Sequence, residues 1–284
     1  MDCCSEFRDS RVVFSRFLPR QPKKLELVSS AGRSYRVTLP PPTSDMPSGY
    51  AFAYWKSGST LLDHMLQAYC NLTGVAYFSL FGQAFAQGIT TSHVTQDAQR
   101  CFLPNGYVYS GFRHYPVFEL EIGPRQPVVL LVRDPRDMLV SLYFSTTKSH
   151  VIPEGEENLA AGRRLSLAQS IDEFALEKCP LYTNAQRRYA TRLAGKAVRI
   201  FRYEDVIFRK EEWMAELVYF LGLPYRRRFV SRVAAQFDVI PQEEDATKHI
   251  RKVSPGDYRE KLKLETIRGL NDRLAPFLSA YGYA

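Results

Sequence analysis

Apolar and polar positions along this chain switch repeatedly between two periods. Residues 25–28 and 34–39 alternate on either side of Ala31-Gly32-Arg33 and predict a β-hairpin. Pro40-Pro41-Pro42, Asp45 and Pro47 then read as a linker. An apolar, aromatic run from residue 49 stops abruptly at Lys56-Ser57-Gly58-Ser59-Thr60. Leu61, Leu62, Met65, Leu66 and Tyr69 follow at helical spacing and predict a helix from Ser59 to about Leu72. Further strands are predicted at 107–109, at 127–132 and at 197–203. Helices are predicted from Arg136 to about Phe144, from a Ser166 cap to Lys178, over 183–193, over 211–221 and over 262–281. Residues 75–105 mix aromatics, glycine and polar side chains without a clear period, and residues 147–165 read as a loop long enough to act as a lid.

Strands alternating with helices predict a single α/β domain whose central parallel sheet is flanked by helices on both faces, with a small N-terminal hairpin extension. Ligands in such sheets sit beyond the carboxyl ends of the strands. Lys56, Arg133 and Tyr203 all fall at such ends.

The strand, small-residue loop and helix around Lys56 form a phosphate-gripping, P-loop-like arrangement. Backbone N–H groups at the helix start have no intrahelical partners and converge on one spot. Gly58 allows close approach, the Ser and Thr hydroxyls add donors, and Lys56 adds a full charge. A simple N-cap is the plainer alternative for such a loop. Arg133-Asp-Pro-Arg-Asp-Met-Leu-Val-Ser141 closes a buried strand and opens a helix, which puts Ser141 two turns from an arginine suited to bidentate phosphate binding. Arg251-Lys252 places two cations in a turn-rich loop, where a solvated charged turn is the alternative.

Composition narrows the classes. The 284 residues carry a formal net charge of +8 and 45% hydrophobic residues, enough for a sizeable core and favourable to anionic ligands. The N-terminus has no apolar segment of signal type, and no run is long enough to span a bilayer. Cys3, Cys4, Cys70, Cys101 and Cys179 have no metal-binding or disulfide spacing, which suits reduced thiols in a cytoplasm and a disordered N-terminal tail. No metal motif and no nucleic-acid motif is present.

In order along the chain, five segments resemble the motifs of sulfotransferases that use 3′-phosphoadenosine 5′-phosphosulfate (PAPS). Tyr54-Trp-Lys-Ser-Gly-Ser-Thr60 is similar to the family's YPKSGTTW loop, and Phe112-Arg-His-Tyr-Pro116 to its KTHLP segment. Arg133 to Tyr143 resembles its 3′-phosphate strand and helix, Tyr203-Glu-Asp-Val206 its YEDL segment, and Arg251 to Tyr258 its RKGxxGDW motif. The resemblance implies a sulfotransferase domain over 48–284 after an N-terminal extension over 1–47. It implies transfer of a sulfuryl group from PAPS, as co-substrate and without a metal, to a hydroxyl or amine of a small-molecule, lipid or glycan acceptor. Lys56 would neutralise the leaving phosphate, and His114 would be the general base, with Glu119 and Glu121 as alternatives. Ser57, Gly58, Ser59, Thr60 and Leu61 would line the 5′-phosphosulfate site. Arg133, Ser141, Arg251 and Lys252 would hold the 3′-phosphate, with Tyr203 beside them and Phe237 against adenine. Trp55 stands where the family has Pro, Leu61 where it has Trp, Phe112 where it has Lys, Val253 where it has Gly and Tyr258 where it has Trp. His64, His93, His150 and His249 lie in no comparable context. Two other classes stay open: a P-loop kinase or NTPase, whose signature puts Gly directly before Lys, and a module that binds PAPS or polyanions without turnover.

Overall fold

The computed structural model describes residues 21–149, 165–239 and 253–283. Arg251, Lys252, His150, His249, the Cys3-Cys4 tail and most of the 147–165 loop lie outside them. The central sheet has five parallel strands: β3 (Gly49–Ala53), β4 (Ala76–Phe78), β5 (Tyr107–Tyr109), β6 (Val128–Val132) and β7 (Val198–Arg202), in the spatial order β4-β5-β3-β6-β7. Ala53 lies opposite Leu131 and Tyr50 opposite Tyr109, so β3 is central and all five of its residues are buried.

Period-two alternation divides the core. Tyr50, Phe52, Val128, Leu130 and Val132 point to one face, and Ala51, Ala53, Val129 and Leu131 to the other. The second face is covered by α1 (Ser59–Thr73), α7 (Lys210–Phe220) and α8 (Arg227–Gln236). Helix α1 buries Leu62, Met65, Leu66, Tyr69 and Cys70, one stripe at helical spacing, and stops at Gly74 in the left-handed region with φ 72°. The first face packs on α2 (Leu80–Phe85), α3 (Pro135–Phe144), α4 (Ile171–Lys178), α5 (Pro180–Arg192) and α10 (Leu264–Tyr281). Two single-turn helices, α6 (Tyr203–Val206) and α9 (Tyr258–Lys261), sit beside the sheet's carboxyl edge.

The hairpin of β1 (Lys23–Val28) and β2 (Ser34–Leu39) is antiparallel, and its inner face of Leu25, Leu27, Tyr35, Val37 and Leu39 joins the first core. Gln83 on α2 and Gln87 in the turn just after it each donate to and accept from the backbone of β2, at Thr38 and Arg36 respectively. Two amide side chains thus cap an edge strand as another strand would.

Some boundaries differ from the sequence expectation. The cap of α4 is Ser170, not Ser166, because Ser170 and Glu173 form a reciprocal capping box. Helix α5 begins three residues early, at Pro180, where a missing N–H costs nothing. Strand β4 and helix α2 occupy the stretch without a clear period, being too short to show one, and α8 follows directly on a Pro-containing turn.

Candidate active site

The β3–α1 loop is shaped from below. Tyr54 is buried among the rings of Tyr189, Phe277 and Tyr281, and its hydroxyl shares a 2.7 Å hydrogen bond with that of Tyr281. Helix α5 supports the loop through two phenols: Tyr189 donates to the Ala53 carbonyl at 2.9 Å and Tyr182 to the Trp55 carbonyl at 3.1 Å. Ser57 is fully buried. Its N–H donates to the Tyr54 carbonyl at 3.1 Å, and its hydroxyl lies 2.8 Å from that oxygen and 3.2 Å from the Leu131 carbonyl. Ser57 therefore stitches the loop to β6 with the groups the sequence reading directed at phosphate. Lys56 has φ 69°, the only positive φ at a non-glycine among the described residues. A left-handed lysine costs about 1–3 kcal/mol and is kept where its placement matters.

Gly58 has φ 94°, and a Cβ there would lie 3.0 Å from a ring carbon of Tyr203. As the N-cap of α1 it offers no side-chain oxygen to the first-turn N–H groups. Those donors, at Ser59, Thr60 and Leu61, keep the character of an anion site.

Tyr203 is the hub. One side of the ring lies against Gly58, and the Arg133 guanidinium stacks over it at 4.5 Å. Its hydroxyl donates to the Val253 carbonyl at 3.1 Å. Arg133 is buried, lies 3.7 Å from a carboxylate oxygen of Asp137, and has no partner at Nε among the described residues. Asp137 in turn accepts the N–H groups of Gly256 at 2.7 Å and Tyr258 at 3.0 Å. Burial raises its pKa, while Arg133 and the two N–H donors pull it back down. The loop, the Arg133 strand end and the described part of the C-terminal motif thus meet through one ring and one carboxylate. Ser141 is half-buried on α3, one turn beyond Asp137.

Arg136 plays a structural part that the sequence reading did not assign. It grips Asp134 with two bonds of 2.9 and 2.6 Å, reaches Asn271 and the Tyr283 carbonyl, and stacks on Tyr258 at 4.4 Å. Glu204 accepts the Asp134 N–H and the Tyr283 hydroxyl. The Leu61 and Val253 departures from the family pattern pack into one small apolar cluster with Tyr203 and Ile207. Phe237 is half-buried at the end of α8, its ring 6.4 Å from that of His64 on α1. Its neighbour Asp238 is held at 2.7 Å by the buried ammonium of Lys210.

The other side of the edge is aromatic. Phe112 is buried against Phe52, Phe81 and Phe102, so this position serves the core rather than carrying a charge. His114 sits beside Phe81, with Nδ1 2.9 Å from the Tyr115 carbonyl and Nε2 2.9 Å from the Thr91 hydroxyl. Burial pushes its pKa down, and Arg188 and Arg113 push the same way; the Tyr115 carbonyl opposes them. The Glu119 carboxylate is engaged by Arg192 at 2.6 Å, and Glu121 is exposed. The roles of Asp137, Tyr182, Tyr189 and Thr91 were not read from the sequence. Of these, only Asp137 lies inside a recognised motif, where the pattern Arg-Asp-Pro-Arg-Asp could have drawn attention to it.

Among the described residues no helix is long and apolar enough to cross a membrane. The same architecture occurs in a mouse sulfotransferase, SULT7A1, complexed with PAP: 12% identity, TM-score 0.52, covering 82% of this chain and 84% of that one. It also occurs in a retinol dehydratase complexed with retinol and PAP, at 13% identity and TM-score 0.52 over 92% of this chain and 98% of that one. A structure of retinol dehydratase with androsterone and PAP aligns equally well, at 13% identity and TM-score 0.52 over 92% and 97% of the two chains. No curated protein matches the chain by sequence. The model of the sulfotransferase domain, however, matches residues 114–279, more than half of the chain. The chain belongs to the sulfotransferase family.

Proposed function

We propose that this sulfotransferase takes its sulfuryl group from PAPS and passes it to a hydroxyl or amine of a small-molecule acceptor, releasing adenosine 3′,5′-bisphosphate. The observation that carries this reading is the convergence on Tyr203: Gly58 of the anion-binding loop touches one part of the ring, and Arg133 stacks over it. A nucleotide with phosphate at both ends fits such a pair of sites, one made of backbone N–H groups and one of guanidinium. Arg251, Lys252 and Ser141 would complete the second, and Phe237 would contact the base.

In the reaction the acceptor oxygen or nitrogen forms a bond to sulfur as the bridging S–O bond breaks. The transfer runs in line, and the protein's part is positioning and charge neutralisation. Lys56 meets the charge that develops on the leaving phosphate. His114 takes the acceptor's proton at Nε2, the only ring nitrogen with a lone pair when Nδ1–H donates to the Tyr115 carbonyl. No step asks for a metal. A Mg²⁺-dependent NTPase would want the strand-end carboxylate for the ion, yet both oxygens of Asp134 are taken by Arg136. The acceptor would approach His114 beside residues 77–105, the stretch that brings Thr91 to the ring, and retinol and androsterone in related structures fit an acceptor of small-molecule size. Buried Cys70, Cys101 and Cys179 as free thiols suit a cytoplasmic setting.

Incubation with ³⁵S-labelled PAPS and pooled hydroxyl- and amine-bearing metabolites tests the proposal. Labelled product together with adenosine 3′,5′-bisphosphate, formed equally with and without chelator, is expected. Hydrolysis of ATP in Mg²⁺ with no label transfer from PAPS would overturn it.

A further inference from the structure

We propose that Thr91 is a placeholder for the acceptor: its hydroxyl occupies the one lone pair of His114 that the reaction needs, and the acceptor's hydroxyl or amine must displace it. The inference rests on His114 as the base. The Tyr115 carbonyl can only accept, so the Nδ1 it faces at 2.9 Å carries the ring's proton. In the neutral ring Nε2 is then an acceptor, and its partner at 2.9 Å is the Thr91 hydroxyl, which donates. An imidazole nitrogen has one in-plane lone pair, so Thr91 and an acceptor hydroxyl cannot both use it.

Thr91 comes from a different part of the chain than His114. It opens a single 3₁₀ turn (Thr91–His93) between α2 and β5. The N-terminal hairpin holds that turn. The Ser30 N–H donates to the His93 carbonyl at 2.9 Å, and the Thr95 hydroxyl donates to the Val28 carbonyl at 2.8 Å. The hairpin therefore fixes the position of the group that covers the base. The ring's other neighbours are Phe81 from α2, Arg113 on its own segment and Arg188 from α5. Neither arginine can accept a proton or donate one in turnover, so the exchange at Nε2 is between Thr91 and the incoming group.

The arrangement has two consequences. In the neutral ring Nε2 stays paired with the Thr91 hydroxyl until an acceptor arrives. An acceptor with no hydrogen-bond donor cannot replace Thr91 without leaving Nε2 unpaired, which biases the site toward groups that carry a transferable proton.

The test does not need the acceptor. In the full-length protein saturated with adenosine 3′,5′-bisphosphate, ¹⁵N NMR of His114 in its neutral form should show Nδ1 protonated. The Nε2 signal should lie on the hydrogen-bonded side of a bare nitrogen's. Thr91→Val should move that signal downfield, and Thr91→Ser should leave it in place. Acylation of His114 by diethyl pyrocarbonate, followed by peptide mass spectrometry, should speed up roughly threefold to tenfold in Thr91→Val, the range for one lost hydrogen bond, and stay unchanged in Thr91→Ser. Thr91→Ala serves in the same role if the valine does not fold. A proton on Nε2, or a signal and acylation rate that the valine and alanine variants leave alone, would overturn the placeholder. Failure of the base itself reads differently: His114→Gln would then keep full turnover whatever the Thr91 variants do to the spectrum.

Discussion

On the side of the sheet's edge proposed to hold the donor, Gly58, Tyr203, Arg133 and Asp137 form a continuous line of charged and backbone contacts; on the side proposed to hold the acceptor, His114 stands beside Phe81 with two hydrogen bonds of its own, at the Tyr115 carbonyl and the Thr91 hydroxyl. The first arrangement is suited to a ligand of fixed shape and fixed charge. The second sets an imidazole beside one aromatic ring, two arginines and a hydroxyl, where burial alters its proton affinity and the hydroxyl partner can be exchanged. Under the proposed function, binding strength should be concentrated on one side and chemistry on the other, with the role of Lys56 as the seam between them.

The largest expected effect separates the two sides. His114→Gln should lower kcat by about 10²–10⁴, the range for a lost general base, and leave affinity for adenosine 3′,5′-bisphosphate unchanged in calorimetry. The same variant tests the pH dependence. Burial favours the neutral ring, so protonation and loss of rate should set in below the ordinary histidine value of about 6.5. The acid limb of the kcat/KM profile should vanish with the ring. Next in size, Lys56→Ala should cut kcat by roughly 10²–10³, as for the removal of one preorganised charge-stabilising donor. Wild-type turnover in that variant would contradict its place at the seam.

Arg133→Ala should act in the opposite sense. Affinity for the bisphosphate should fall by about 10–100-fold, the loss of a charge-assisted contact, with kcat at saturating PAPS little changed. The smallest effect concerns the strain at the seam. Lys56→Gly should raise stability by about 1 kcal/mol, read as a melting temperature higher by roughly 2–4 °C, while turnover is lost. A lower melting temperature would mean that the φ of 69° is not a store of strain.

The same contrast explains what could be read from the sequence. The donor side is made of local patterns. Lys56 to Thr60 follow directly on an apolar run, and Arg133 closes another, so the period of the strands and the position of the glycine mark them as candidates. The sheet was legible for the same reason, since β3 and β6 are continuous apolar runs buried on both faces. What no local pattern shows is contact between distant segments. Thr91 meets His114 across 23 residues, the Tyr182 and Tyr189 hydroxyls meet the loop across more than 120, and Gln83 and Gln87 reach β2 from 45 or more residues away. No local pattern marks such pairs. Strand β4 and helix α2 were hidden because three and six residues are too few to reveal a period. The use of Ser57 differed from the reading for a related reason: a buried hydroxyl beside two carbonyls bonds inward, and burial cannot be read from a small-residue loop.

The central claim is that one nucleotide is gripped at both of its phosphates across Tyr203. Calorimetric titration with adenosine 3′,5′-bisphosphate and with adenosine 5′-monophosphate, on the wild type and on Arg133→Ala, tests it most directly. The account predicts that the wild type binds the bisphosphate at least about tenfold more tightly than the monophosphate, and that Arg133→Ala cuts this preference by about tenfold, the contribution of one charge-assisted contact. Equal affinity for the two nucleotides in the wild type, or no heat with either, would contradict it.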